Sequence, residues 1–394
     1  MPAWEDVEHI ALVVCDSFGV GGAPDADAYG DRGSDTLGNT SRAVGGFRAP
    51  NLGRLGLGHL TNVDGVPGDA EAGTAHGRLT ERSAGKDTTT GHWEICGVVL
   101  DRPFPTYPEG FPPEVIELFE GAIGRPVLGN VAASGTEIIA RLGEEHLRTG
   151  KPIVYTSGDS VFQIAAHVDV VPLEQLYEWS RVARRILDGP HRVGRVIARP
   201  FGGPAGAFVR LPDRRDFSVK PPGPTVLDFV KDAGVAVFGV GKIGDIFVER
   251  GLSEYRYSRS NDDGVDITLD YLSRPGRSLV MTNLVDFDSK YGHRNDPPGY
   301  ARCVEEFDGR VPELRAAVGS GLVFITGDHG CDPTTPPTDH SRERTPCLVS
   351  GARRDAAVDL GDRGCFGDLG ATIADILGVA TQGLAGESFA ELLA

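Results

Sequence analysis

Four short stretches place acids or histidines just past apolar runs. Asp16 follows Val13-Val14-Cys15, and Asp286 and Asp288 follow Asn283-Leu284-Val285 with Gly292-His293 close behind. Asp328-His329 follows Ile325-Thr326-Gly327, and Thr338-Asp339-His340 comes a few residues later. In α/β sheets, ligands bind outside the carboxyl ends of strands, where residues in such positions project. Carboxylates bring charge and hard oxygen, and neutral imidazole brings nitrogen, a mixture that suits Mn²⁺ or Zn²⁺. Five or six such groups exceed the needs of one tetrahedral ion. They suit two ions about 4 Å apart, the spacing that clamps a transferring phosphoryl group. Each piece alone has an ordinary explanation, since Asp after a strand is commonly a cap or turn residue. The constellation is what points to metal.

A second stretch, Gly85-Lys86-Asp87-Thr88-Thr89-Thr90-Gly91-His92-Trp93-Glu94, sets three threonines between Asp and Gly-His. Two readings share one geometry. Asp or Thr can cap a helix, with Glu94 in the turn that follows. A hydroxyl at a helix N-terminus also sits where the dipole and free N–H groups favour negative charge. A metal there would lower its pKa and make it a nucleophile.

The elements that must position these groups are legible as short apolar runs at 10–15, 153–155, 195–198, 235–240, 279–285 and 322–326. Helical patterns intervene at 113–122, 135–142, 173–187 and 305–318. Strands alternating with helices predict α/β layering around a mostly parallel sheet. Pro-rich stretches at 102–113 and 211–225 bracket a segment long enough for a small domain. We therefore expect a core made of residues 1–100 and 223–394, with residues 101–222 inserted as a smaller α/β cap.

Composition narrows the partners. Across 394 residues, 39 Lys+Arg face 56 Asp+Glu, a net charge of −17. That argues against nucleic acid as the main partner. No apolar stretch reaches the roughly 18 residues of a bilayer span, and the acidic N-terminus lacks the form of a signal peptide. Six scattered cysteines without a CxxC pair read as free thiols in a cytoplasmic protein.

With these residues assembled, the sequence resembles the manganese-dependent phosphopentomutases of prokaryotes, within the alkaline phosphatase superfamily. Asp16-Ser17-Phe18-Gly19, Gly22–Ala26, Gly33–Gly38 and Pro50-Asn51-Leu52 match that family's opening, and Gly85–Gly97 its nucleophile segment. Ala133–Ile138 and Gly194–Phe201 match its insert. Asp286-Phe287-Asp288, Gly292-His293-Arg294 and Thr338-Asp339-His340 match its metal segments. The resemblance implies an alkaline-phosphatase-like core and an isomerase that moves phosphate between the 1- and 5-positions of ribose or 2-deoxyribose. It implies Thr88 as the phosphate carrier, with two Mn²⁺. One ion would take Asp16, Asp328, His329 and the Thr88 oxygen, and the other Asp288, His293 and His340. It implies Asp159, Arg195 and Arg210 from the cap and Lys242 from the core as substrate-binding residues, and a sugar bisphosphate as activator.

The sequence departs from the family at Ser157-Gly158-Asp159, Asp213-Arg214-Arg215-Asp216, Thr326-Gly327 and His340-Ser341-Arg342-Glu343, losing neither a ligand nor the nucleophile. Other readings share parts of the pattern. A metal-dependent phosphatase or sulfatase would keep Asp16, Asp328 and His329 without the insert, or a related mutase would act on another sugar phosphate. The cofactor-independent phosphoglycerate mutases use a serine nucleophile, and positions 88–90 hold none.

Overall fold

The computed structural model describes residues 4–336 and 338–394. They form two compact units, one running up to Arg102 and resuming at Pro221–Ala394, the other Pro103–Lys220.

The larger unit is built on eight strands. Their spatial order is Glu254–Arg256, Ala236–Val240, Ser278–Leu284, His9–Cys15, Leu322–Thr326, Thr345–Ser350, Thr74–Leu79 and Val358–Arg363. Only Thr345–Ser350 runs against its two neighbours; the other pairings are parallel. His9–Cys15 lies centrally, with Val14 in register with Asn283 on one side and Thr326 on the other. Strands enclosed on both sides read as continuous apolar runs, which is why these three were legible. Their common register is what brings Asp16, Asp286 and Asp328 to one edge of the sheet.

One face of this sheet packs on Pro297–Ala317, whose Tyr300, Val304, Phe307, Val311 and Leu314 join Val13, Val280 and Ile325 in a continuous core. The helix begins eight residues before the apolar pattern at 305–318 predicts. Pro297 and Pro298 resemble a loop, yet they occupy the first turn, where no backbone N–H is needed. Asp296 caps it by accepting from Gly299 N at 2.9 Å.

In the smaller unit the strands run Leu128–Ala132, Ile153–Thr156, Val161–His167, Arg195–Gly202 and Val209–Arg210, with Arg215–Ser218 also paired to Arg195–Gly202. Alternate residues of this mixed sheet face opposite cores. Val154, Phe162 and Val196 meet Pro113–Ile123 and Leu173–Ile186, while Ile153, Tyr155 and Phe201 meet Gly135–Thr149. No helix of the described residues is long and apolar enough to cross a membrane.

Candidate active site

At the carboxyl ends of the central strands, ligand atoms of Asp16, Asp328 and His329 lie within 4.8 Å of one another, as do those of Asp288, His329 and His340. His329 belongs to both groups. Its Nε2 is 3.4 Å from Asp16 Oδ1 and 3.4 Å from Asp328 Oδ2, and its ring stacks on His340 at 3.9 Å. His293 Nε2 lies 3.3 Å from Asp288 Oδ2 and 3.1 Å from His340 Nε2. The six acids and histidines that the resemblance implies as metal ligands are thus brought together. Asp286 turns away, accepting from Asn261 N and Lys290 Nζ, so it braces the loop.

The backbone here is tightly held. Ser17 adopts a left-handed conformation, φ 71°, that lets its N–H donate to Asp328 Oδ1 at 3.1 Å while its carbonyl accepts from Tyr300. Asn283 donates to Asp16 Oδ2 at 3.2 Å.

The donor set fits cations. Asp16 Oδ1, Asp288 Oδ1 and Asp328 Oδ2 are buried without a hydrogen-bond partner, an arrangement that leaves desolvated carboxylates exposed to one another. His329 Nδ1 faces the Gly330 carbonyl at 3.0 Å and His293 Nδ1 faces the Thr338 carbonyl at 2.8 Å. A carbonyl only accepts, so each Nδ1 carries the proton and each Nε2 is turned to the cluster. That is the support metal-ligating histidines receive. Electrostatics agree. Burial, then repulsion from Asp16, pushes the Asp288 carboxyl up to about 6. Burial alone would raise Asp16, but Lys242, His329 and His92 hold it below the usual carboxylate range. Burial likewise opposes charge on His329, yet Asp328, Asp16 and Asp288 push it well above an ordinary histidine. The site calls for positive charge.

Thr88 opens the helix Thr88–Ile95, and its Oγ1 lies 3.2 Å from His329 Nε2. The capping reading of this segment holds, with the cap on Asp87. Asp87 is the cap, accepting from Thr90 N at 3.1 Å and Thr90 Oγ1 at 2.5 Å. Thr90 is thereby committed to the cap, and Thr88 is the threonine directed at the cluster. The helix packs so closely that a Cβ on Gly91 would come within 2.1 Å of the Asp328 carbonyl oxygen. His92, one turn on, places Nδ1 2.9 Å from the Thr88 carbonyl and 3.1 Å from Asp328 Oδ2. Its ring thus lies between the Thr88 turn and the Asp328 carboxylate.

Sequence reasoning gave no role to Arg342. Its guanidinium, 2% exposed, meets Glu81 Oε2 at 2.7 Å, the carbonyls of Ser83 and Gly85 at 2.8 and 2.7 Å, and Asp25. It fastens the loop that leads into Thr88 to the segment bearing His340. Lys86 adds an ion pair to Asp31 at 3.0 Å.

The substrate-binding candidates are distributed differently. Lys242 Nζ lies 3.8 Å from Asp16 Oδ2, at the carboxylate cluster itself. In the smaller unit, Arg195 is 3.7 Å from Asp159 and 3.6 Å from Asp216. Arg210 pairs with Phe201 on the strand that begins at Arg195, and its charge acts with those of Arg199 and Arg214 on the Tyr155 hydroxyl. Arg214, forked onto Asp216 at 2.7 and 2.6 Å, joins the Arg195 group and was not singled out beforehand.

Residues 8–381 match the model of the metalloenzyme superfamily. A phosphopentomutase of Anaeromyxobacter dehalogenans strain 2CP-C is 59% identical over 95% of this chain and 96% of its own. One from Kosmotoga olearia is 54% identical over 93% and 95%. The chain belongs to the phosphopentomutase family. It is accordingly an isomerase, a phosphotransferase mutase on an alkaline-phosphatase-like α/β core, and a metal-binding enzyme. Among solved structures, a phosphoglycerate mutase of Leishmania mexicana aligns over 97% of this chain and 98% of its own at 12% identity, TM-score 0.48.

Proposed function

We propose that the enzyme interconverts ribose 1-phosphate, or 2-deoxyribose 1-phosphate, with the 5-phosphate through a phosphorylated Thr88 and a bound 1,5-bisphosphate. The observation that carries this reading is the Thr88 hydroxyl, 3.2 Å from His329 within a cluster of unpartnered buried carboxylate oxygens. Asp16, Asp328 and His329, with the Thr88 oxygen, would hold one Mn²⁺, and Asp288, His293 and His340 the second. Bound there, the ions supply charge neutralisation for phosphoryl transfer.

The chain's own residues do the rest. The start of the Thr88–Ile95 helix favours negative charge beside Thr88. Asp87 and His92 hold that turn in place. Phospho-Thr88 gives its phosphoryl group to the free hydroxyl of the pentose phosphate: the bond from phosphorus to the Thr88 oxygen breaks and one to the sugar oxygen forms. The bisphosphate reorients, and Thr88 takes the other phosphate. Lys242, beside Asp16, meets the phosphate at the cluster. Asp159, Arg195 and Arg210 serve the sugar phosphate from the residue 103–220 unit. A guanidinium suits phosphate because it offers paired donors in one plane. A sugar bisphosphate activator loads Thr88, and the substrate is a small pentose phosphate in the cytoplasm.

Arg195→Ala tests the substrate assignment. Losing one charge-assisted phosphate contact lowers kcat/KM for pentose phosphate by about 10- to 150-fold, roughly 1.5–3 kcal/mol. Hydrolysis of a small aryl phosphate falls less, since the cluster and Thr88 are untouched. Equal losses on both substrates would assign Arg195 to structure instead.

A further inference from the structure

We propose that Tyr155, Arg199 and Arg214, together with Arg210, form a seat for a phosphate dianion in the residue 103–220 unit. The proposal rests on the reading that this unit meets the sugar phosphate, and adds three side chains which that reading does not use.

Strand register sets these side chains on one face. Tyr155 pairs with Gln163, Gln163 with Ile197 and Ile197 with Asp216, a row across four strands. Arg195 and Arg199 flank Ile197 two positions to either side, so they share its face. Arg214 reaches the row by forking onto Asp216 at 2.7 and 2.6 Å. Arg215, where the sequence departs from the family, lies on the opposite face, its guanidinium over Tyr177 and Phe217. It does not enter the seat.

Two observations mark the place as built for an anion. The first is the Tyr155 hydroxyl, fully buried yet without a hydrogen-bond partner among the described residues. A buried hydroxyl left so is costly. A Cβ on Gly135 would come 2.7 Å from its oxygen, which sets it against the first turn of Gly135–Thr149. Ser134 caps that turn, and its backbone N–H groups favour negative charge. The second observation is charge. Burial pushes the phenol up, and Arg199, Arg210 and Arg214 act together against that shift, Arg199 approaching without closing a hydrogen bond. Arg199, half-buried, gives its Nε to the neutral Gln163 Oε1 at 3.1 Å. Burial and then Arg214 lower its pKa, and the carboxylate that acts on it, Asp216, is already taken by the Arg214 fork. Three guanidiniums thus face one carboxylate. A phosphate dianion supplies the missing charge, accepts from the phenol and takes guanidinium donors in pairs.

Calorimetric titration of the full-length enzyme tests this, with inorganic phosphate and ribose 5-phosphate as ligands and a chelator present so that the carboxylate cluster holds no cation. The expected result is one phosphate site per chain. Arg199→Gln weakens both ligands by about 10- to 150-fold, the worth of one charge-assisted contact. Tyr155→Phe weakens both by about 2- to 10-fold and leaves the unfolding midpoint unchanged or raised, because the hydroxyl it removes serves no protein partner. Tyr155→Phe keeps the test if Arg199→Gln fails to fold. Ribose 5-phosphate held more tightly than inorganic phosphate supports the substrate as the occupant of the seat, and equal affinities support free phosphate. Unchanged affinity in both variants, or a Tyr155→Phe chain that loses stability and keeps affinity, overturns the seat. If Arg195→Ala alone weakens ribose 5-phosphate, the sugar-phosphate role of the unit stands without the seat. If none of the three weakens it, both fall.

Discussion

Thr88→Ala is expected to fold normally and to lose mutase activity by roughly 10⁴-fold or more, about 5 kcal/mol of barrier, as follows from removing a covalent nucleophile. The fold survives because Thr88 contributes nothing to the helix cap. Asp87 caps through Thr90, whose amide and hydroxyl both donate to it. The substitution removes the hydroxyl that lies 3.2 Å from His329 and leaves the carboxylates in place. The same geometry separates the three threonines. Thr90 Oγ1 is occupied by Asp87, so Thr90→Ala should lower stability through the cap, by roughly 1 kcal/mol, and affect activity far less. Near-normal turnover in Thr88→Ala, or phosphate mapped to Thr89 or Thr90, would remove Thr88 from the mechanism.

The second large effect concerns Arg342. Arg342→Met takes a cation out of a closed network and leaves Glu81, 3% exposed, without its partner. Burial already pushes the Glu81 carboxyl well up, and Arg342 opposes that shift. Breaking a buried pair by removing one member costs about 3–5 kcal/mol. Against a total stability of about 5–15 kcal/mol, this is a large share. The midpoint of denaturant unfolding reports it. Removing both charges in Arg342→Met with Glu81→Gln should return part of the loss, because the stranded carboxylate is gone. Activity should fall beyond what stability explains, since Ser83 and Gly85 lose the guanidinium that holds the approach to Thr88. A loss under about 1 kcal/mol would mean that the network is slack.

What sequence showed and what it hid follow from how each residue is held. Asp16 and Asp328 were legible because each ends a strand enclosed by neighbours, and an enclosed strand must be apolar along its whole length. Thr74–Leu79 was missed for the opposite reason. Its Thr-Ala-His-Gly-Arg-Leu pattern looks like a turn, and it becomes a strand by pairing with Thr345–Ser350 and Val358–Arg363. His76 in it is buried by stacking on His59 at 4.7 Å, a contact no local pattern announces. Arg342 was visible as a residue but not as an anchor, because its partners lie 257 to 317 positions away. Arg195 and Arg210 looked equivalent on a list of basic residues. The strand that carries one and pairs with the other puts them six positions apart.

Phosphate is expected to move within the pentose, not to leave it. Phosphorus NMR of the Mn²⁺-loaded enzyme, given ribose 5-phosphate and a catalytic amount of a sugar bisphosphate, tests this directly. The expected result is a growing ribose 1-phosphate resonance that reaches equilibrium, and no reaction after treatment with a chelator until Mn²⁺ is restored. Inorganic phosphate as the sole product, or full turnover in chelated protein shown to contain no metal, would contradict it.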